Sequence, residues 1–127
     1  MNTILNGKPK ILIIDDEQDL LLLMAYKLKG EGFDVRVSPN GDNLLDIITS
    51  DIPDAILLDI QMDGVDGGTV CHLLKENGST SAIPILMVSA NDNISTISSD
   101  CGANGFIKKP FDQKVVKTEL LRVLGIV

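Results

Sequence analysis

The chain has 127 residues, enough for one domain with a substantial core. It is 44% hydrophobic but only 3% aromatic and lacks tryptophan, so the core must be aliphatic, which suits a parallel sheet between helices. The net charge of -7 speaks against nucleic-acid binding by the chain as a whole. No apolar run approaches the ~20 residues of a membrane span, and MNTILNGKPK lacks a signal-peptide core.

In chain order, residues 1–8 read as a flexible segment. KILII (10–14) is short, β-branched and continuous, as a buried strand should be. DEQDLLLLMAYKLKGEG (16–32) has acids in its first turn, Leu20, Leu23, Met24 and Leu28 facing inward, and glycines as its stop. FDVRV (33–37) alternates like an edge strand. Asn40-Gly41 turns the chain, and Leu44, Leu45, Ile47 and Ile48 give a short helical face. AILLD (55–59) is the next buried strand. A helix over 67–77 places Val70, Leu73 and Leu74 inward. PILMVSA (84–90) is a fourth strand. NISTISSDCG (93–102) is a poor helix, because its Ser, Thr and Asn side chains compete for backbone hydrogen bonds. NGFIKK (104–109) is a fifth strand, and Pro110-Phe111-Asp112 opens a last helix with Val115, Val116, Leu120, Val123 and Leu124 inward.

Five βα units predict one α/β domain over 1–127, a parallel sheet with right-handed crossovers. Such sheets bind ligands beyond the carboxyl ends of their strands. Those ends carry Asp15-Asp16, Asp59, Ser89 and Lys109. A lone aspartate at a strand end is commonly a turn former or helix cap. Three converging carboxylates repel unless a cation joins them, and hard oxygen donors without Cys or His indicate Mg²⁺ or a similar ion. A metal, a lysine and a hydroxyl around one carboxylate make a charge clamp for a phosphoryl group, and Asp59 can itself be the nucleophile. Cys71 and Cys101, with no CxxC pattern, read as reduced thiols in a cytoplasmic protein, not as a disulfide or metal site. His72 reads as an ordinary surface histidine.

ILIIDDEQDL, AILLDIQMDGVDG, PILMVSA and GANGFIKKPF resemble the receiver domain (CheY-like family) of two-component response regulators over about residues 9–125. The resemblance implies a flavodoxin-like (βα)5 doubly wound sheet of strand order 2-1-3-4-5. It implies phosphoryl transfer from a phosphohistidine of a sensor histidine kinase, or of a histidine phosphotransfer protein in a phosphorelay, to Asp59. Mg²⁺ would be held by Asp15, Asp16, Asp59 and the backbone carbonyl of Gln61. Ser89 and Lys109 would bind phosphoryl oxygens, and Phe106 would occupy the aromatic switch position. The Lys109–Pro110 bond would be cis. Lys108, on the opposite face of the strand, would be solvated.

Three departures from the family pattern stand out. Asp63 and Gln18 occupy positions where proline is common, and the segment between Ser89 and Lys109 is about two residues short (an estimate against the family pattern, bearing on where the fourth helix can end). A haloacid-dehalogenase-like phosphatase with Asp15 as nucleophile would want DxD, whereas the chain has Asp15-Asp16-Glu17. A flavin-binding flavodoxin-like protein would want Ser, Thr and Gly after strand one. GVDGG lacks the nucleotide-binding glycine patterns. The expectation is therefore a phosphoacceptor module, not a conventional enzyme, promoting only its own phosphorylation and dephosphorylation. Residues 105–127 hold five Lys/Arg against two Asp/Glu, while residues 1–104 hold six against sixteen. That basic stretch, with Lys108, Lys114, Lys117 and Arg122, suits an acidic partner or a phosphorylation-dependent homodimer.

Overall fold

Ile11 to Ile14 are all buried, and so are the full lengths of AILLD and ILMVS. Runs of this kind bury both faces, which requires helices on both sides of the sheet. The computed structural model describes residues 7–38, 44–62 and 65–125 and has that architecture. Its strands are β1 (Lys10–Ile14), β2 (Asp34–Ser38), β3 (Ala55–Asp59), β4 (Ile85–Ser89) and β5 (Gly105–Lys108). They pair in parallel in the order β2-β1-β3-β4-β5. The helices are α1 (Gln18–Gly30), α2 (Leu44–Ser50), α3 (Gly67–Glu76), α4 (Ile94–Cys101) and α5 (Gln113–Leu124). The expected flexible segment falls largely outside the described residues, as do the Asn40-Gly41 turn and Asp63.

Alternation along the strands divides the core in two. Ile11, Ile13, Leu57, Leu86, Val88 and Ile107 face α1 and α5, where Leu21, Met24, Leu28, Val116 and Leu120 cover them. Leu12, Ile14, Ile56, Leu58, Ile85 and Met87 face α2, α3 and α4, where Leu44, Ile48, Cys71, Leu74, Ile94 and Cys101 cover them. Each fully buried aliphatic side chain contributes about 2 kcal/mol. The strands are therefore stiff stalks whose tips are fixed from both sides.

The helix faces depart from expectation in phase. In α1, Leu21, Met24, Ala25 and Leu28 are buried, while Leu23 is exposed. Four consecutive leucines leave the phase open in sequence. The stripe at i, i+3, i+4 and i+7 through Met24 and Leu28 selects Leu21. Leu45, Leu73 and Val115 are likewise exposed rather than inward. Helix α4 forms despite its Ser and Thr content, because Ile94, Ser98 and Cys101 share a buried face. Ser98 donates its hydroxyl hydrogen to the Gly105 carbonyl at 3.3 Å, and Gly102 ends the helix with φ +82°. An unexpected two-stranded ribbon, Gln61–Met62 with Val65–Asp66, follows β3.

Candidate functional site

Asp59 is the last residue of β3, and Asp15 directly follows β1. The Asp15 N–H donates to the Ser38 carbonyl at 3.2 Å, so the ladder continues into the site. Because β1 and β3 are neighbours, the two carboxylates meet where the strand order reverses. Asp16 joins them, and one carboxylate oxygen from each of the three lies within 4.8 Å of the others. Asp15 and Asp59 are only 2% and 4% exposed.

Gly67 explains how tightly Asp59 is held. A Cβ at Gly67 would collide with the Asp59 carbonyl oxygen and lie 2.7 Å from the Ile60 Cα. The Gly67 N–H also donates to the Ile60 carbonyl at 2.7 Å. The start of α3 is thus pressed against the end of β3. Asp66 caps that helix, its carboxylate accepting the Gly68 N–H at 3.0 Å.

Lys109 enters from the other side of the sheet's switch point. Its N–H donates to the Ser89 carbonyl at 2.8 Å, and the following Lys109–Pro110 bond is cis. Its Nζ lies 3.4 Å from Asp15 Oδ2, 3.5 Å from Glu17 Oε1 and 3.8 Å from Asp59 Oδ1. Burial works against the Lys109 ammonium, but the surrounding Asp15, Asp59 and Glu17 charges outweigh it and raise its pKa. For Asp59, burial and then the Asp15 charge push the pKa up to about 6, against the opposing pull of Lys109 and of the Gln61 N–H. That N–H donates to Asp59 Oδ1 at 3.3 Å. Asp15 has both oxygens engaged, Oδ1 by the Glu17 N–H at 2.9 Å and Oδ2 by Lys109.

Ser89 ends β4 almost fully buried, its hydroxyl oxygen accepting the Asn91 N–H at 3.0 Å. Phe106 on β5 is 39% exposed, facing outward with Lys108. Lys108 is exposed, as expected, and its Nζ lies 2.7 Å from Asp92 Oδ1. Lys117 pairs with Glu31 at 3.6 Å and Arg122 with Glu119 at 2.9 Å. The anticipated basic face is therefore a mixed one, in which three of its four named cations carry a carboxylate partner. His72 is an exposed residue 2.8 Å from Glu76, one turn along α3. Both cysteines are free.

The strand tips thus bring together Asp15, Asp16, Asp59 and Lys109, with Ser89 tied to Lys109 through the backbone. Two contributors are not evident from the sequence reading. Glu17 had a signal, its place directly after the paired aspartates. Gly67 had none beyond membership of a Gly-Gly pair, because its role depends on contact with β3. Chemically, three hard oxygen donors beside one ammonium suit a divalent cation and a phosphoryl group. No described helix is long and apolar enough to cross a membrane.

Residues 11–121 match the response regulator receiver domain family. The response regulator PleD of Caulobacter vibrioides is 37% identical over 107 residues, covering 81% of this chain and 23% of PleD. MprA of Mycolicibacterium vanbaalenii is 36% identical over 104 residues, covering 80% of this chain and 44% of MprA. The chain therefore spans less than half the length of these curated relatives. Among solved structures, a putative response regulator from Chloroflexus aurantiacus superposes with a TM-score of 0.87 at 30% identity, covering 94% of this chain and 99% of that one. The receiver domain of NtrX from Brucella abortus gives 0.82 at 32% identity, covering 92% and 99%. Sequence, sheet order and strand-tip chemistry converge, and the chain belongs to the response regulator receiver domain family.

Proposed function

We propose that this chain, as one receiver domain over 1–127, takes a phosphoryl group onto Asp59 from a phosphohistidine of a sensor histidine kinase or histidine phosphotransfer protein. The observation that carries the reading is Asp59 itself: a carboxylate at the end of a wholly buried strand, crowded by Asp15 and Asp16 and faced by Lys109. A fixed nucleophile of this kind favours in-line attack. An Asp59 oxygen forms the bond to phosphorus as the phosphorus–nitrogen bond of the donor breaks, leaving the electron pair on the imidazole. The raised pKa still leaves Asp59 largely ionised at neutral pH, as attack requires.

Asp15, Asp16, Asp59 and the Gln61 carbonyl are the residues that would hold Mg²⁺, whose charge would offset that of the phosphoryl oxygens. The all-oxygen cluster around two buried carboxylates supports this fit. Lys109 pairs with one phosphoryl oxygen and Ser89 donates to another. As Ser89 moves, Phe106 turns into the space beside it, with no hydroxyl to leave unpaired. The change is then read at the face of α4, β5 and α5, where a shallow groove of about 340 Å³ is lined by Phe106, Val115, Lys114 and Glu119 among others. Its mixed charges and exposed Phe106 and Val115 support a phosphorylation-dependent homodimer there. The reading implies a cytoplasmic module that acts on no separate substrate and binds no nucleic acid itself.

Incubation with acetyl phosphate and Mg²⁺ should add one phosphoryl mass to the wild type and none to Asp59→Asn. Normal labelling of Asp59→Asn, with loss in Asp15→Asn, would instead favour the phosphatase-like chemistry. Sedimentation with and without beryllofluoride tests the homodimer, and an unchanged monomer would remove it.

A further inference from the structure

The two cysteines, distant in sequence, meet between α3 and α4. Cys71 lies within α3, and Cys101 is the last residue of α4. The Cys71 S–H donates to the Cys101 carbonyl at 3.6 Å, and the Cys101 S–H donates to the Ser98 carbonyl at 3.5 Å. Both side chains belong to the same buried cluster on that side of the sheet. Burial, and then the neighbouring Cys101 side chain, raises the Cys71 pKa, so the thiol is protected while the helices stay packed. Neither residue takes part in the acid cluster.

We propose that Cys71 and Cys101 form a reversible disulfide that pins the end of α4 to α3. With the Cys71 sulfur already 3.6 Å from the Cys101 carbonyl oxygen, closure to a bonded sulfur pair asks for rotation of the two side chains and movement at the end of α4, not rearrangement of the sheet. Access comes from α4. Its Ser, Thr and Asp side chains weaken the helix, and Gly102 breaks it directly after Cys101. Opening of that last turn exposes Cys101 first.

The oxidant is a small-molecule disulfide such as glutathione disulfide. The Cys101 thiol loses its proton to solvent, and the thiolate attacks one sulfur of the oxidant. The oxidant's sulfur–sulfur bond breaks and one small thiolate leaves. The Cys71 thiol, exposed by the same opening, then loses its proton to solvent, and its thiolate attacks the Cys101 sulfur of the mixed disulfide and expels the second small thiolate. Both leaving groups take up protons. Two protein thiols are oxidised and one external disulfide is reduced to two thiols.

The cross-link would close a loop between positions 30 apart and hold α4 in place. Its effect on signalling rests on the proposed function, whereas formation of the bond does not. The test uses the reduced wild-type chain, glutathione disulfide, and N-ethylmaleimide added in denaturant. The expected product has lost two hydrogens, carries no maleimide and yields a peptide linking residues 71 and 101. Dithiothreitol restores both thiols. Amide exchange across 94–101 should slow by about tenfold in the oxidised chain. Two maleimides per chain, or a persistent glutathione adduct, would overturn the disulfide. A formed bond with unchanged exchange in α4 would overturn the pinning. Phosphoryl labelling of Asp59, measured separately by mass, reports on the proposed function alone.

Discussion

The two edges of the sheet carry similar residues and opposite electrostatics. At the amino ends of the strands, Asp51 pairs with Lys10 at 2.9 Å and with Arg36 at 3.0 Å, while Asp54 accepts the Lys10 N–H at 2.7 Å. The hydrogen bond from Lys10 lowers the Asp51 pKa, and the paired side chains are partly exposed. At the carboxyl ends, Asp15, Glu17 and Asp59 share the ammonium of Lys109, Asp16 lies beside them, and Asp59 is pushed up to about 6. One edge is balanced and half open to water; the other is overcharged, with Asp15 and Asp59 buried. Aspartate at a strand end therefore does not define a site. A deficit of counter-charge around buried carboxylates does.

The difference can be broken most severely through backbone packing. Gly67→Ala should destabilise the fold by about 3 kcal/mol, because the new methyl meets rigid β3 backbone and not a movable side chain. A urea midpoint unchanged from wild type would show that α3 does not bear on Asp59 as described.

Neutralising the crowded edge should act in the opposite direction. The folded pKa of Asp59 lies above its ordinary value of 3.8. Below the ordinary value it is protonated folded or unfolded and contributes nothing. As pH rises from about 4 to about 6, the unfolded chain loses the proton first, so stability falls, and the full penalty is present above that window. Asp59→Asn should therefore raise metal-free stability at neutral pH by about 2 kcal/mol and flatten this fall. Denaturant titrations across the window, without divalent ions, would reveal any failure of that sign.

A cation offers a smaller, reversible version of the same relief. Mg²⁺ at about ten times its Kd should stabilise the wild type by about 1.4 kcal/mol, and Asp16→Asn should weaken that response. Melting curves unmoved by tens of millimolar Mg²⁺ would count against a metal site. The balanced edge should respond least. Asp51→Asn should cost little, and less still at high salt, because its partners remain hydrated. A loss rivaling that at Gly67 would erase the distinction between the edges.

Much of this was legible in sequence, for physical reasons. Strands such as AILLD and ILMVS are buried on both faces, so their composition alone identifies them, and the chemistry at their ends follows from βα alternation. Helix faces were less legible. The Leu20 to Leu23 run has no polar residue to set its phase, so periodicity points to Leu23 where Leu21 is the buried residue. The ribbon after β3 has strands of two residues, too short for periodicity to register. Glu17 escaped assignment because its role is to share Lys109, a residue far along the chain. The basic patch dissolved because Asp92, Glu31 and Glu119 reach it from other elements or other turns.

The hydrogen bond from the Asn91 N–H to the Ser89 hydroxyl ties chemistry to helix geometry. Asn91 in turn holds the entry to α4, its side chain accepting the Asn93 N–H at 2.8 Å and its carbonyl accepting the Ile94 N–H at 3.2 Å. The loop is a row of pegs, each holding the next, and the first turn of α4 meets the last. Drawing the first peg toward Asp59 orphans the Asn91 amide, at a cost of about 1 kcal/mol unless the loop re-forms around it. The entry to α4 therefore follows which oxygen the Asn91 amide finds, while the body of the helix stays seated on Ile94, Ser98 and Cys101.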